Sequence, residues 1–407
     1  MKDKFIMVAG VGASKFLQLL FSLYLSYQFD HGALATFVLI LTLSIAMSSI
    51  VSLGGAPQIV RAGAFSDSKK HIISTIGTAL ILIVLVLIAL FLYVALGQHD
   101  FGISGFNKFD YYFNTAFILT SLALYSIVQS YLSYKQEYFK LGVSTFIIYS
   151  APFLLAVLLS QLDFSVKAVI FTYSIVFLLS SLLVYFFTVN EEIKFSNVIS
   201  SLPGFMVLKA NIVNFIRVSL FGFITMLSLY FSVKYVNNNY NEQLAALYSV
   251  SYQFFQIGIF LPSVLGAVFI PKLVKNNNKD ENNVMRKSYL FIAVSWVVVC
   301  SLMFYPIFKL YDFSFNKSEI VTFIVMQLGV VLSSLQASYN QRYVAMGNFN
   351  FLAINALIWG GALLLFQYFS PHMIYFSSWA LVFAYSLSLL AFFSKDYFTR
   401  VKQGELL

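Results

Sequence analysis

Hydrophobic residues occur along this chain in long runs that are separated by short polar or turn-rich segments. Each run is about 20 residues long, the length that a helix needs to cross the roughly 30 Å hydrocarbon core of a membrane. The pattern therefore predicts about twelve membrane-spanning helices, near residues 5–29, 33–57, 72–96, 111–133, 142–160, 164–187, 213–236, 244–270, 288–310, 318–341, 351–369 and 373–394.

Composition supports this interpretation. Hydrophobic residues make up 60% of the 407 residues and charged residues 10%, whereas soluble domains have about 45–50% and about 25%. Because the excess is spread over the whole length, we predict an all-α integral membrane protein. The connections are too short to hold a separate soluble domain, so we expect no enzymatic activity.

The positive charges indicate the orientation. Most of the 25 lysine and arginine residues fall in connections on the same side as the N terminus. Cytoplasmic loops carry such an excess, so we predict that both termini are cytoplasmic. Topology thereby accounts for the net charge of +9, and no nucleic acid is expected as a partner.

An internal repeat is visible around two prolines. Pro57 with Arg61 follows the second predicted helix, and Pro271 with Lys275 follows the eighth at the same offset. We therefore predict two six-helix pseudo-repeats around a central cavity, the arrangement of transporters built from parallel repeats. The predicted parts are an N-terminal half at 1–190, a cytoplasmic connection at 191–212, and a C-terminal half with a short tail at 213–407.

The segment Gly10–Lys15, GVGASK, resembles a phosphate-binding loop at first sight. Such a loop has the form G-x-x-x-x-G-K-[ST] and joins a strand to a helix. Here Ser14 precedes the lysine, Phe16 follows it, and the whole segment lies inside an apolar run. A nucleotide site is excluded, and we expect the small residues to pack closely against a neighbouring helix.

Lys15 is nevertheless a candidate site residue. At about 1.5 Å per residue it lies roughly 15 Å beyond Phe5, near the bilayer centre. A central lysine costs about 2.5–3.5 kcal/mol, and such cations usually mark a substrate path or an ion pair. Gln18, Ser22 and Ser26 follow at helical spacing, so a polar stripe is expected to face a cavity. A packing lysine satisfied by backbone carbonyls is the alternative.

Four further residues are candidates for binding a substrate. Arg61 could bind a phosphate at the cytoplasmic opening of the predicted cavity. The excess of positive charge in cytoplasmic connections explains it equally well. Arg217 could line the cavity or snorkel to lipid headgroups. Gln253 and Gln256 could bond to sugar hydroxyls or join helices.

The positions of the acidic residues indicate the charge of the cargo. All 16 fall in loops, tails or span ends, and a transporter of organic cations would need a carboxylate inside the membrane. A cavity that holds Lys15 without such a group favours an anion. The single Cys300 and the four separate histidines offer no metal site, and no cofactor is expected.

Taken together, these features resemble the polysaccharide biosynthesis exporters, the O-antigen flippase group of the multidrug/oligosaccharidyl-lipid/polysaccharide exporter superfamily. The resemblance covers essentially the whole chain without a diagnostic motif. The residues that carry it are Asp30–Phe37, Gly55–Arg61, Tyr134–Leu141, Leu247–Tyr252, Pro262 and Pro271.

The resemblance implies a flippase for an undecaprenyl-pyrophosphate-linked oligosaccharide in the bacterial inner membrane. In such proteins helices 1, 2, 7 and 8 border a cationic cavity, which would place Lys15, Arg61 and Arg217 near the pyrophosphate. Implied partners are the lipid-linked oligosaccharide, membrane lipids, a glycan polymerase and a chain-length regulator. The alternatives are a multidrug efflux transporter of the same superfamily, a lipid II flippase, and a membrane-embedded glycan polymerase or ligase.

Overall fold

The computed structural model describes residues 2–60, 68–96, 106–191, 193–200, 204–275 and 279–402. Within these ranges every regular element is a helix. The helices are α1 (Lys2–Gln28), α2 (His31–Val60), α3 (Ser68–Leu96), α4 (Lys108–Lys135), α5 (Tyr138–Ser160), α6 (Val166–Thr188), α7 (Phe195–Ser200), α8 (Phe205–Asn239), α9 (Glu242–Lys275), α10 (Lys279–Leu310), α11 (Lys317–Ala345), α12 (Phe349–Phe369) and α13 (Ile374–Lys402).

The prediction of an all-helical, multi-span membrane protein is confirmed. Among the described residues, 11 helices are long and apolar enough to cross a membrane. Each predicted span coincides with one long helix, and the predicted span at 244–270 lies within the 34-residue α9. The orientation of the termini stays a prediction. We use "inner end" for the end of a helix that is predicted to be cytoplasmic.

The inner connection between α6 and α8 differs from the prediction. It contains the six-residue helix α7, and α8 begins at Phe205, ahead of the predicted span at 213–236. Hydropathy detects the residues that can lie in hydrocarbon, whereas backbone hydrogen bonding continues a helix beyond them. The early part of α8 includes Lys209 and Asn211, which interrupt the apolar run ahead of residue 213.

The chain divides into two compact units, Met1–Tyr230 and Phe231–Leu407, with the boundary inside α8. In the first unit, α1 packs along α5, α2 along α4, and α6 against α4 and α5. In the second unit, α9 packs along α11, and α13 against α11 and α12. The pairing of α9 with α11 corresponds to that of α2 with α4, and the pairing of α13 with α11 and α12 corresponds to that of α6 with α4 and α5. The predicted domain limits at 190 and 213 stay a prediction.

The helices α1 and α5 touch backbone to backbone. A Cβ atom added at Gly10 would overlap the carbonyl oxygen of Gly142, and one added at Gly142 would lie 2.7 Å from the carbonyl oxygen of Ile6. Small residues permit such an approach. The expected packing role is confirmed for Gly10 and is wrong for Gly12, where a Cβ atom would meet nothing within 4 Å.

The first part of α8 interlocks with α2 inside the first unit. A Cβ atom at Gly54 would lie 2.8 Å from Cδ1 of Phe215, and one at Gly222 would overlap the side chain of Leu53. Each helix therefore presents a glycine where the other presents a large side chain. Phe215 is completely buried as a result.

These contacts predict opposite outcomes for two alanine substitutions. Gly10→Ala forces α1 away from α5 and should lower stability by about 1–3 kcal/mol. Gly12→Ala meets open space and should leave stability unchanged or raise it by up to about 1 kcal/mol, because alanine favours the helix. Thermal unfolding of the purified protein in detergent measures both. Equal melting temperatures for the two variants would contradict the close approach at Gly10.

Candidate functional site

Lys15 occupies the middle of α1 and lies against α5. Its Nζ atom donates a hydrogen bond to Oε1 of Gln18 at 3.3 Å and lies 5.7 Å from the ring centroid of Tyr149. A cation over an aromatic face is attracted by about 0.5–2 kcal/mol. Tyr149 follows Gly142 by two helical turns, so the face of α5 that touches α1 also brings this ring to Lys15.

Aromatic side chains from two neighbouring helices pack against the Tyr149 ring. Its centroid lies 5.0 Å from that of Phe177 on α6 and 6.1 Å from that of Tyr125 on α4. The Tyr125 hydroxyl is hydrogen-bonded to Oγ1 of Thr145 on α5 at 2.9 Å. Because the support comes from α4, α5 and α6, the ring under Lys15 has little freedom to move.

The rest of the predicted polar stripe on α1 has structural partners. Ser22 is completely buried and donates to the carbonyl oxygen of Gln18 at 3.1 Å, so the expectation that it faces a cavity is wrong. Ser26 bonds to Nδ1 of His31 at 2.9 Å. The stripe thus separates into two structural serines and the pair Lys15–Gln18.

In the second unit, Gln253 and Gln256 lie one turn apart on α9. The Gln256 amide donates to the Tyr252 hydroxyl at 2.7 Å. Gln253 is only 7% exposed, and neither its amide nitrogen nor its amide oxygen has a hydrogen-bond partner in the described part of the chain. Buried polar groups are rarely left in this state, because each one costs about 1–3 kcal/mol.

Further buried polar atoms of the second unit lack partners among the described residues. They include Oδ1 of Asn355 and Nε1 of Trp359 on α12, and Oε1 of Gln327 and Oγ of Ser334 on α11. Asn355 donates through Nδ2 to Ser388 at 2.7 Å. Such groups are normally completed by ordered water or by a ligand. The interior of this unit therefore has unfilled capacity for neutral hydrogen bonds.

The remaining predicted site residues are Arg217 and Arg61. Arg217 is exposed on α8, two residues beyond the buried Phe215, and its part in a site stays a prediction. Arg61 lies outside the described residues. Lys15 and Gln18 are in contact in the first unit, whereas Gln253 and Gln256 belong to the second.

Sequence reasoning missed Tyr149 and Trp359. Both are aromatic residues in apolar helices, where nothing distinguishes them from packing residues. The spacing of Tyr149, two turns after Gly142, would have indicated that it lies on the same helix face as that glycine. Trp359 follows Asn355 by one turn, which would have placed it beside a polar residue. Using either signal would have required knowing which helices touch.

Acidic residues within the described ranges lie in connections or near helix ends. Glu319, in the first turn of α11, is buried and accepts hydrogen bonds from Ser314 at 2.5 Å and from Asn316 at 2.7 Å. Asp396, near the end of α13, pairs with Arg342 at 2.8 Å. No described carboxylate therefore lies at the mid-helix level of Lys15 on its own helix or on α5.

Neither a protein-family model nor a curated protein sequence matches the chain. Solved transporters share its fold. A multidrug resistance MATE family transporter of the MOP superfamily, in an outward-facing conformation, matches with a TM-score of 0.72 at 13% identity, covering 99% of this chain and 96% of the other. The lipid II flippase MurJ, in an inward closed conformation, matches with a TM-score of 0.70 at 16% identity, covering 96% and 87%.

A third structure is a MOP superfamily transporter from Pyrococcus furiosus, for which reverse polarity of the binding pocket suggests a different function. It matches with a TM-score of 0.71 at 12% identity, covering 98% of this chain and 96% of the other. The predicted fold is thus confirmed. Membership of the polysaccharide exporters stays a prediction.

The state of Gln253 predicts an unusual response to an apolar substitution. Gln253→Leu removes two unpartnered polar atoms and should leave the melting temperature unchanged or raise it. The matched control is Asn114→Leu in the first unit, since Asn114 is equally buried but donates to Asp110 at 2.7 Å and accepts from Ser174 at 2.8 Å. Asn114→Leu should lower the free energy of unfolding by about 1 kcal/mol for each hydrogen bond that it removes. An equal loss in both variants would show that Gln253 is a structural residue.

Proposed function

We propose that this protein is a flippase that moves an undecaprenyl-pyrophosphate-linked oligosaccharide from the cytoplasmic to the outer leaflet of a bacterial inner membrane. The observation that carries the proposal is the position of Lys15. It is a cation at the middle of a membrane-spanning helix, held by Gln18 and Tyr149, in a chain whose described carboxylates lie near helix ends.

Electrostatics favours an anionic cargo at such a position. Two opposite unit charges 4 Å apart attract each other by about 1 kcal/mol in water, but by about 4 kcal/mol where the effective dielectric constant is about 20. A pyrophosphate would gain this attraction from Lys15, whereas an organic cation would be repelled. A transporter of organic cations would need a carboxylate inside the membrane.

The neutral groups of the second unit suit the sugar part of the cargo. Sugar hydroxyls donate and accept hydrogen bonds without charge, and the amide of Gln253 offers one acceptor and two donors. The Gln256 amide and the Tyr252 hydroxyl add a second neutral pair. Polar groups cannot cross hydrocarbon unsatisfied, since each one costs several kcal/mol, so a carrier of glycans needs such partners.

The shared fold supports transport and leaves the cargo open. It is found both in a multidrug resistance transporter and in a lipid II flippase, so cargo must follow from side-chain chemistry. Transporters with parallel repeats bind near the midplane and expose the site alternately to each side by rocking. In our proposal the pyrophosphate is held at Lys15, and the lipid tail stays in the membrane.

Replacement of Lys15 tests the proposal directly. Lys15→Gln should reduce the surface polysaccharide that the gene restores to a deletion strain by at least about tenfold, which corresponds to about 1.4 kcal/mol. Lys15→Arg keeps the charge and should retain part of the activity. The matched control is Lys140→Gln, because Lys140 is 59% exposed and pairs with Glu137 at the surface. Full restoration by Lys15→Gln, at equal protein levels in the membrane, would refute this role of Lys15.

A second experiment separates the flippase from a multidrug efflux transporter. A deletion strain should accumulate lipid-linked repeat units on the inner side of its membrane and should keep its susceptibility to drugs. Accumulation is measured by extraction of the lipid-linked glycans, and susceptibility by growth inhibition with cationic compounds. Increased susceptibility without accumulated repeat units would favour the efflux transporter and contradict the flippase.

A further inference from the structure

A cluster of cations and aromatic rings lies at the inner end of the second unit. Arg286 is near the start of α10 and Arg342 is near the end of α11, so the two antiparallel helices bring both residues to the same end. The Cζ atom of Arg286 lies 5.1 Å from the ring centroid of Tyr339, which precedes Arg342 by about one turn of α11. The guanidinium of Arg286 therefore lies over an aromatic ring of α11, on the helix that carries Arg342 one turn further on.

The hydrogen bonds leave both guanidinium groups incompletely used. Arg342 donates through Nη1 to Asp396 at 2.8 Å, and the other carboxylate oxygen of Asp396 accepts from the Tyr343 hydroxyl at 2.8 Å. The Nε atoms of Arg286 and Arg342 are buried and have no acceptor in the described part of the chain. Because Nε belongs to the side edge of the guanidinium, the edge that can bind two oxygens at once has an unused donor in both residues.

Aromatic packing fixes the shape of the cluster. The Tyr339 ring is stacked 5.3 Å from Phe392 on α13, and Tyr343 lies 5.4 Å from Phe392. Tyr343 is in turn 5.0 Å from Phe351 on α12, and the Nζ atom of Lys395 lies 5.8 Å from the Phe351 centroid. Arg286 and Lys395 thus lie against one connected set of aromatic rings, and the Arg342–Asp396 pair is joined to the same set through Tyr343.

We propose that this cluster binds the phosphate group of an anionic membrane lipid. A planar guanidinium matches two phosphate oxygens with two parallel donors, which an ammonium group cannot do. Arg286 lies only about 6 Å along α10 from the start of the apolar segment Asn282–Leu310, so it is near the helix end that is predicted to lie beside the lipid headgroups. A bound phosphate would supply the acceptors that the buried Nε atoms lack.

This site is separate from the cargo pair Lys15–Gln18, which belongs to the first unit. It recognises a resident lipid, so the proposal does not depend on which cargo the protein moves. Positive charge in inner loops also attracts anionic lipids without a specific site. That general effect does not require a guanidinium, a stacked ring or a particular residue, and this difference makes the proposal testable.

The experiment uses the full-length protein in nanodiscs of phosphatidylcholine with a titrated fraction of phosphatidylglycerol. Bound lipid is counted by native mass spectrometry, and the melting temperature is recorded in parallel. The variants are Arg286→Gln, Arg286→Lys and the control Lys287→Gln. The control removes the same charge from the neighbouring exposed position of the same helix.

We expect phosphatidylglycerol, and not phosphatidylcholine, to bind the unaltered protein and raise its melting temperature. Arg286→Gln should weaken this binding about tenfold, Arg286→Lys should weaken it severalfold because the fork is lost, and Lys287→Gln should change it less than twofold. If Arg286→Gln fails to fold, Arg286→Lys carries the test, since it retains the charge over Tyr339.

Three results would overturn the proposal. Equal losses in Arg286→Gln and Lys287→Gln would indicate diffuse attraction, and full binding by Arg286→Lys would show that the guanidinium fork is not used. Complete displacement of phosphatidylglycerol by soluble glycerol phosphate would assign the site to a free phosphate rather than to a lipid.

Discussion

A charge in the middle of a membrane-spanning helix is the constraint on which the first unit depends. An ammonium group cannot remain in hydrocarbon without partners, and Lys15 obtains them from its own helix and from α5. The partner helix can come close enough because Gly10 and Gly142 let the two backbones touch. Gly10 of the GVGASK segment therefore helps to position Lys15 against its partner on α5, because it permits close helix packing. It does not form a phosphate-binding turn.

The two units satisfy their buried polar groups to different extents. In the first, polar groups such as Asn114 and Ser22 have partners on their own or adjacent helices, although Oγ1 of Thr115 and the hydroxyl of Tyr185 lack a hydrogen-bond partner among the described residues. In the second, Gln253 and Trp359 are buried with unpartnered atoms. A structural network is stabilised by satisfying its members, whereas unfilled hydrogen-bonding capacity is typical of a site that receives water or a ligand. This difference underlies our assignment of charge recognition to one unit and of neutral recognition to the other.

The fold alone does not decide between cargoes. The same architecture occurs in a multidrug resistance transporter and in a lipid II flippase, and identities of 13% and 16% carry no residue-level correspondence. The cargo of this chain is therefore inferred from chemistry at particular positions, namely a central lysine and described carboxylates near helix ends. The unpartnered Nε atoms of Arg286 and Arg342, at the inner end of the second unit, likewise indicate an anionic ligand, because buried donors of a charged group are normally paired.

The sequence by itself determined the membrane class, the approximate limits of each span and the candidacy of Lys15. These follow from local quantities, since the transfer of about 20 apolar residues into hydrocarbon depends on composition and length. Only the tertiary structure decided that Gly10 packs closely while Gly12 faces open space, that Ser22 is structural, that Tyr149 lies beneath Lys15, and that Arg286 stacks on Tyr339. Each of these depends on the rotation and register of one helix against another. Apolar faces that are nearly continuous around a helix leave that rotation unspecified in the sequence, so contacts between helices had to be seen.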